Sequence, residues 1–283
     1  MDAQLLAQEI NLLPTTSSPS IPEDIRQIIV PTKQEAARIL SIFQTSCQDI
    51  PSNTNMFDGN PVAQKYSFLY SLGPQFDEDE SFGRPRGGGG NHQTESQAGC
   101  EIWVSPSEGE IQSVMGYKLP RKQYPSEDLR LGYAERSWNF LPKDKQEWYD
   151  KEYHPAWNAV EDSLEIKVDQ SIDLQYLYTD PSSRSQGHGC RLVEKLKEIS
   201  EESGCPIWLG AHNEGARRFY SDKAGFKRGS TVDMKLNDGK STGITAFTYI
   251  PTTYNPSEDT ANDGPIEEPL WAEDILLVPE PED

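Results

Sequence analysis

A short loop with two glycines lies between two apolar segments and has the residue types needed to bind a phosphate group. This phosphate loop, Arg184 to Cys190, follows the apolar run Leu174–Tyr178 and the strand-ending pair Asp180-Pro181. A helical pattern from Cys190 to Ser203 and a second apolar run, Ile207–Leu209, come next. This order predicts a βαβ unit with the loop at its first strand-to-helix junction. Glycine lets the backbone approach an anion, and a helix start offers unpaired N–H groups and a positive dipole end. We therefore interpret the loop as a pyrophosphate-binding cradle.

Two common phosphate-binding patterns do not fit the loop. The P-loop pattern GxxxxGK[ST] is absent, because Gly189 is followed by Cys190 and Arg191. The dinucleotide pattern GxGxxG also fails, because Leu192 stands where its third glycine would be. What remains is R-x-x-G-x-G.

The remaining pattern resembles the Q/R-x-x-G-x-G/A signature of the GNAT N-acyltransferase superfamily. Downstream, the residues from Asn213 to Tyr220 read N-E-G-A-R-R-F-Y and are followed by A-G-F ending at Phe226. They resemble the second family block, N-x-x-A-x-x-F-Y…G-F. The resemblance covers about residues 172–228 and is looser upstream. It implies an α/β fold with a central mixed antiparallel and parallel sheet, flanked by helices and carrying loop insertions.

The resemblance also implies acetyl-CoA as the acyl donor, with no metal. The loop would supply backbone N–H groups to the pyrophosphate, and the preceding strand would run beside the pantetheine arm. One N–H of that strand would polarise the thioester carbonyl. The side chain of His188 is expected to be exposed and without a catalytic role. The cofactor-binding residues that follow from the resemblance are Leu177, Tyr178, Thr179, Arg184, Ser185, Gln186, Gly187, His188, Gly189, Cys190, Asn213 and Tyr220.

Tyr220 is the candidate acid for the departing coenzyme-A thiolate. Counting forward from Asn213 places it on the family's tyrosine. Counting backward from Gly225-Phe226 gives Ser221 instead, because the chain has one extra residue between the tyrosine and the glycine. We expect the helix to fix the direction of Tyr220 and its end to absorb the extra residue. Tyr220 could also contact the cofactor without proton transfer or be a core aromatic.

Asp173 is the candidate base for the acceptor ammonium. It lies eleven residues before Arg184, where the histone-acetylating branch of the superfamily has a catalytic carboxylate. A carboxylate in an acyl-transfer cleft can have a raised pKa and accept a proton directly or through water. The alternative is an exposed acid at the start of a strand with no role. Asn213 either binds pantetheine or caps the following helix, and both can hold.

Composition limits the partners. The chain has 283 residues with 46 acidic and 26 basic side chains, a formal charge of −20. This balance argues against a nucleic-acid surface and agrees better with a small cationic or amine acceptor. The alternative is that the acidic exterior reflects only solubility and disordered tails. The four cysteines and four histidines form no metal-ligand spacing, and no apolar run is long enough to span a membrane. We expect a cytoplasmic protein, and the oligomeric state stays open.

The chain is expected to hold one catalytic domain with flanking and inserted segments. These are a flexible leader (1–20), a GNAT-like acetyltransferase domain (21–250) with a Gly-rich flexible loop (77–99) and an aromatic-rich insertion (121–170), and an acidic disordered tail (251–283). Residues 252–283 contain ten acidic and no basic residues. The aromatics of the insertion either pack helices onto the sheet or line an acceptor pocket for an organic cation.

The expected function is therefore transfer of an acetyl group from acetyl-CoA to a primary amine, directly within a ternary complex. No nucleophilic cysteine is needed for that route. Two alternatives stay open at this point: a catalytically silent acyl-CoA-binding or regulatory domain, and an α/β nucleotide-binding enzyme that uses the glycine loop differently.

Overall fold

The computed structural model describes residues 24–77, 100–122 and 127–255, with side chains from residue 132 onward in the last range. The predicted leader, almost all of the Gly-rich loop and most of the acidic tail lie outside the described residues. The strands of the described part are β1 (Arg26–Ile28), β2 (Glu101–Ser105), β3 (Ser113–Lys118), β4 (Ile172–Thr179), β5 (Ile207–Ala211), β6 (Lys227–Lys235) and β7 (Ser241–Tyr249).

The α-helices of the same part surround the sheet. They are α1 (Lys33–Cys47), α2 (Pro51–Phe57), α3 (Pro61–Leu72), α4 (Glu127–Asn139), α5 (Lys143–Trp148), α6 (His154–Asp162), α7 (His188–Ser203) and α8 (Glu214–Arg218). Two π-helical turns, Tyr149–Tyr153 and Phe219–Lys223, extend α5 and α8. None of the helices in the described part is long and apolar enough to cross a membrane.

The seven strands form one mixed sheet in the order β1-β2-β3-β4-β5-β7-β6. Every neighbouring pair is antiparallel except β4 and β5, which are parallel. Helix α7 connects this parallel pair, because parallel strands need a crossover. The predicted fold class, a mixed antiparallel and parallel sheet flanked by helices, is confirmed.

Apolar side chains cover both faces of the sheet. On one face, which we call the α1 face, Phe43 and Leu69 of α1 and α3 pack on Val114 and Tyr176. On the other, the α7 face, Leu192 and Leu196 pack on Ile172 and Phe247. A third cluster around Trp148, Val160 and Ile244 packs α5 and α6 against the β6–β7 hairpin.

A bulge in β4 changes which face its side chains occupy. Gly116 pairs with Tyr176 but Tyr117 pairs with Leu174, so Gln175 has no partner residue on β3. Leu174 therefore lies on the α7 face, whereas Tyr176 lies on the α1 face beside Phe43. Beyond the bulge, Leu177 returns to the α7 face.

Candidate functional site

Strands β4 and β5 diverge and leave a wedge in the middle of the sheet. They are in register only at Ile172 with Ile207 and at Asp173 with Trp208. From Leu174 onward, the edge of β4 that faces β5 has no strand partner within the described part of the chain. An unpaired strand edge can accept an extended chain of amide groups as if it were another strand.

The phosphate loop lies at the open end of this wedge, between β4 and α7. Gly187 is the N-cap of α7 with a φ of 87°, and Ser185 has a φ of 64°. Left-handed conformations of this kind are typical of anion-binding nests, in which successive N–H groups face one concavity. Helix α7 has no side-chain cap, whereas α1 has a full capping box from Thr32 and Glu35.

The N–H groups of five consecutive residues, Gln186 to Cys190, are consequently unpaired. None of them donates a hydrogen bond to any residue of the described ranges. Intrahelical bonding begins with Arg191, whose N–H donates to the Gly187 carbonyl at 3.1 Å. Unpaired N–H groups together with the positive end of the α7 dipole make a binding site for an anion.

At Gly189 the phosphate loop lies close to the side chains of β4. A Cβ atom on Gly189 would lie 3.5 Å from Thr179 Oγ1, 3.9 Å from Leu177 Cδ2 and 3.8 Å from Phe219 Cζ. Leu177 and Thr179, both predicted from the sequence to bind the cofactor, are therefore brought together with the loop on the α7 face. The third strand residue, Tyr178, points to the α1 face, where its ring packs on Phe43.

The side chain of His188 is buried, although the sequence predicts an exposed one. It is only 8% exposed. Its Nδ1 lies 3.0 Å from Ser105 Oγ. The Ser105 hydroxyl already donates to the Asp24 carbonyl at 3.1 Å, so the Nδ1–H of His188 must be the donor to Ser105. Burial and the nearby Arg191 lower the pKa of His188. The backbone N–H of His188 still belongs to the unpaired group.

The side chain of Arg184 forms an ion pair with Asp49. Its guanidinium donates to Asp49 Oδ2 at 2.6 Å, and both side chains are about half exposed (45% and 56%). Asp49 follows α1, so the pair connects the α1–α2 turn to the phosphate loop. Cys190 is half-buried in the first turn of α7 and is a free thiol.

Tyr220 lies on the α7 face, in the π-helical turn after α8. The turn inserts one residue by an i to i+5 bond, in which the Ala224 N–H donates to the Phe219 carbonyl at 2.9 Å. This turn accommodates the extra residue that separates Tyr220 from Gly225. The ring is 7% exposed and packs on Phe226 and Phe247.

The Tyr220 hydroxyl has no hydrogen-bond partner among the described residues. Burial alone raises the pKa of Tyr220, so this hydroxyl keeps its proton at neutral pH. Asn213 is the N-cap of α8, with its Oδ1 accepting from the Ala216 N–H at 2.8 Å. The structure thus gives Asn213 the capping role.

Asp173 lies at the closed end of the wedge and points to the α1 face. Its neighbours Ile172 and Leu174 belong to the α7-face core, and side chains alternate along a strand. The side chain is half-buried and accepts a hydrogen bond from Gln175. Desolvation raises the pKa of Asp173 to about 6, although Lys118 across the strand pair lowers it.

A cluster of polar and aromatic side chains at the end of β5 was not predicted. This His212 cluster consists of Ser52, Tyr153, Trp157 and His212. The Tyr153 ring stacks on the His212 imidazole, with centroids 6.0 Å apart, and Ser52 Oγ lies 3.1 Å from His212 Nδ1. Desolvation lowers the pKa of His212 to about 4, so the ring is neutral at pH 7.

The helical spacing of Tyr153 and Trp157, four residues apart, is the one sequence signal for this cluster. Trp157 lies over Gly210 of β5, where a Cβ atom would be 2.4 Å from the indole ring. Trp148, by contrast, is 5% exposed and belongs to the core. The aromatic insertion therefore both packs on the sheet and supplies rings near the wedge.

Next to the His212 cluster, a thiol and a phenol lie on the α1 face of β4. Cys47 Sγ is 3.6 Å from the Tyr178 hydroxyl and accepts from Asn53 Nδ2 at 3.1 Å. Burial raises the pKa of the Cys47 thiol to about 11, so it is protonated at neutral pH and a weak nucleophile.

A cavity of about 310 Å³ opens beside the His212 cluster. Its walls come from the start of α2, the β5–α8 turn and the β6–β7 hairpin, and they include His212, Asp233 and Gly243. Within the described ranges, no group of three or more histidine, cysteine, aspartate or glutamate side chains is arranged to hold a metal ion.

Comparison with known proteins gives one family match. Residues 127–226 match the model of the acetyltransferase (GNAT) family. No curated protein matches the chain.

Several solved structures resemble the chain at low sequence identity and low TM-score. An N-acetyltransferase from Staphylococcus aureus Mu50 has a TM-score of 0.43 and 12% identity over 80% of this chain and 96% of its own. The ribosomal-protein-S18-alanine N-acetyltransferase from Escherichia coli has a TM-score of 0.41 and 12% identity, with 80% and 93% covered. The yncA protein of Salmonella typhimurium, solved with acetyl-CoA, has a TM-score of 0.39 and 11% identity, with 80% and 94% covered. These likenesses are too distant to assign a function.

The matched segment contains β4, the phosphate loop, α7, β5 and Tyr220, which are the elements that build the wedge. The resemblance predicted from the loop and the Asn213–Phe226 block is therefore confirmed: residues 127–226 match the acetyltransferase (GNAT) family.

Proposed function

We propose that the protein is an acetyl-CoA-dependent N-acetyltransferase that acetylates a primary amine by direct transfer in a ternary complex. The observation that carries this proposal is the row of five unpaired N–H groups, Gln186 to Cys190, at the open end of a wedge between two parallel strands.

The residues of the wedge fit acetyl-CoA. The unpaired N–H groups would hold the pyrophosphate, because they offer several donors and a helix dipole to two negative charges. The free edge of β4 around Leu177 and Thr179 would hold the amide groups of the pantetheine arm. Gly189 lets the start of α7 lie close to this edge, since a Cβ atom there would already be in contact, at 3.5 to 3.9 Å, with side chains of β4 and of the π-helical turn after α8.

Direct transfer requires one bond to form and one to break. The amine nitrogen forms a C–N bond to the thioester carbonyl carbon, and the C–S bond to coenzyme A breaks. Negative charge develops on the carbonyl oxygen, and a backbone N–H on the free edge of β4 would stabilise it. The departing thiolate needs one proton, and the amine must lose one.

Tyr220 is the proposed acid. Its hydroxyl is protonated at neutral pH, has no competing hydrogen-bond partner among the described residues, and lies on the α7 face of the wedge with Phe219. It would donate its proton to the thiolate and regain one from solvent. A hydroxyl held ready in an apolar site loses little of its donor strength to competing bonds.

Asp173 is the proposed base. With a pKa of about 6 it is ionised above that pH and can accept the proton of the amine, directly or through water. It lies on the α1 face, opposite Tyr220, so the acid and the base would approach an acyl group in the wedge from different sides. The acceptor would enter from the α1 face, beside the His212 cluster and its cavity.

The proposal is tested with the full chain, acetyl-CoA and a panel of primary amines. Release of coenzyme A should depend on the amine and yield an acetylated amine by mass spectrometry. Coenzyme A should be quantified by chromatography, because Cys190 and Cys205 are half-buried free thiols that would react with a thiol reagent. Tight acetyl-CoA binding without turnover on any amine would favour the silent acyl-CoA-binding alternative. Thermal stabilisation by ATP or NAD but not by acetyl-CoA would favour the nucleotide-binding one.

A further inference from the structure

The turn that precedes the phosphate loop, Asp180 to Ser183, fixes the direction in which the loop starts. Asp180 Oδ1 accepts from the Ser182 N–H at 2.9 Å and from the Ser182 hydroxyl at 2.5 Å. The Asp180 N–H donates to the Gln112 carbonyl at 2.8 Å, and the Ser183 hydroxyl donates to Gln112 Oε1 at 2.6 Å. Both ends of the turn are therefore tied to Gln112, which precedes β3.

Arg38 of α1 contacts both Asp180 and Gln112. Its guanidinium lies 2.9 Å from Asp180 Oδ2 and donates to Gln112 Oε1 at 3.2 Å. It also donates to the Ile111 carbonyl at 2.8 Å. The side chains of Arg38 and Asp180 are 20% and 14% exposed, so solvent screens their ion pair only in part.

We propose that Arg38, which lies outside the phosphate loop, is a positioning residue that sets the affinity of the loop for the pyrophosphate of coenzyme A. This inference rests on the coenzyme-A site of the proposed function and names a further residue on which that site depends.

Two physical reasons support the role. First, Arg38 links Asp180 directly, and Ser183 through Gln112, so its loss would free the turn that aims the N–H groups of Gln186 to Cys190. A binding group that must be ordered at the time of binding costs affinity. Second, Arg38 neutralises the Asp180 carboxylate, which would otherwise repel a phosphate bound at the neighbouring loop.

Arg26 provides a matched control. Its Nε donates to the Ser107 carbonyl at 2.8 Å, and its guanidinium pairs with Glu35. Like Arg38, which also pairs with the exposed Glu110 at 3.1 Å, it contacts a carbonyl of the β2–β3 connection and a carboxylate. No contact joins Arg26 to the turn at Asp180–Ser183 or to the phosphate loop in the described part of the chain.

The test compares coenzyme A with pantetheine, which has the same arm but no pyrophosphate. Dissociation constants are measured by calorimetry for the full chain and for Arg38→Met and Arg26→Met. Arg38→Met should raise the Kd for coenzyme A at least about tenfold and leave the Kd for pantetheine within about twofold, whereas Arg26→Met should change neither by more than about twofold. A merely structural role would weaken both ligands alike.

Arg38→Gln is the second variant, in case Arg38→Met does not fold. It keeps a polar side chain but loses the positive charge that pairs with Asp180, so it should weaken binding of coenzyme A but not of pantetheine. The inference is overturned if the folded variants have a Kd for coenzyme A within about twofold of that of the unchanged chain. It is also overturned if their Kd for pantetheine rises as much as their Kd for coenzyme A. If the unchanged chain does not bind coenzyme A at all, the proposed function itself fails, and the role of Arg38 fails with it.

Discussion

Replacing Gly187 by alanine tests whether the unpaired N–H groups of the phosphate loop bind a phosphate. Gly187 has a φ of 87°, a left-handed conformation that residues with a Cβ atom adopt only at a cost. The added methyl would lie 2.9 Å from Arg191 Nη1, the far end of a flexible side chain that can move aside. Relief of the strain would rotate the peptide between Gly187 and His188, and with it one of the five N–H groups.

The size of both effects follows from the geometry. The left-handed conformation costs an alanine about 1–2 kcal/mol of folding stability, which corresponds to a fall in thermal midpoint of about 2–4 °C per kcal/mol for a domain of this size. One hydrogen bond from an N–H group to a charged phosphate is worth roughly 1.5–3 kcal/mol. Its loss should raise the Kd for coenzyme A about 10- to 100-fold.

Gly204 at the other end of α7 is the matched control. Its φ is 70°, and a Cβ atom there would lie at an ordinary 3.7 Å from the Thr253 carbonyl oxygen. Gly204→Ala should therefore lower the folding stability by about 1–2 kcal/mol, as Gly187→Ala does, but leave coenzyme-A binding unchanged. Thermal unfolding and calorimetry on both variants measure the two effects. The reasoning is refuted if Gly187→Ala loses stability like Gly204→Ala and still binds coenzyme A as the unchanged chain does.

Three further substitutions separate the roles proposed around the wedge. Tyr220→Phe should lower kcat about 100-fold or more and leave stability and the Kd for coenzyme A unchanged, since its hydroxyl has no partner among the described residues; an unchanged kcat would remove Tyr220 from the mechanism. In the unchanged chain, ionisation of Asp173 near its pKa of about 6 should make kcat/KM rise with pH. Asp173→Asn should abolish this rise, and a pH profile that keeps it would exclude Asp173 as the base. Asn213→Ala should cost about 1 kcal/mol of stability through loss of the cap on the Ala216 N–H, and Asn213→Ser, which can still cap, should restore it. If neither substitution alters the thermal midpoint, the capping account is wrong.

The sequence predicted the elements around the phosphate loop because their signals are local. The aromatic run before the loop became β4, the helical pattern after it became α7, and the next apolar run became β5. Glycine spacing, a strand-ending Asp-Pro and helical periodicity all act over a few residues. The extra residue before Gly225 could be counted, and the π-helical turn at Phe219–Lys223 accommodates it at the end of α8 as expected.

Features that depend on distant parts of the chain were missed. His188 is buried because Ser105, 83 residues earlier in the chain, comes to lie beside it. Ser52 and His212, which are hydrogen-bonded, are separated by 160 residues and are brought together only by the tertiary fold. Helices α2 and α4 were also missed. Helix α2 has a polar sequence and no side-chain cap at its start, so Pro51 at its first position is its one usual sequence signal.

The most direct test of the central claim is the response of the phosphate-loop amides to coenzyme A. In a ¹H–¹⁵N NMR titration of the full chain, the amide resonances of Gln186 to Cys190 should shift together and give one common Kd. Hydrogen bonds to phosphate should move their proton shifts downfield, whereas amides at the opposite end of α7, around Gly204, should not respond. The account is contradicted if coenzyme A binds and shifts other amides while those of Gln186 to Cys190 stay in place.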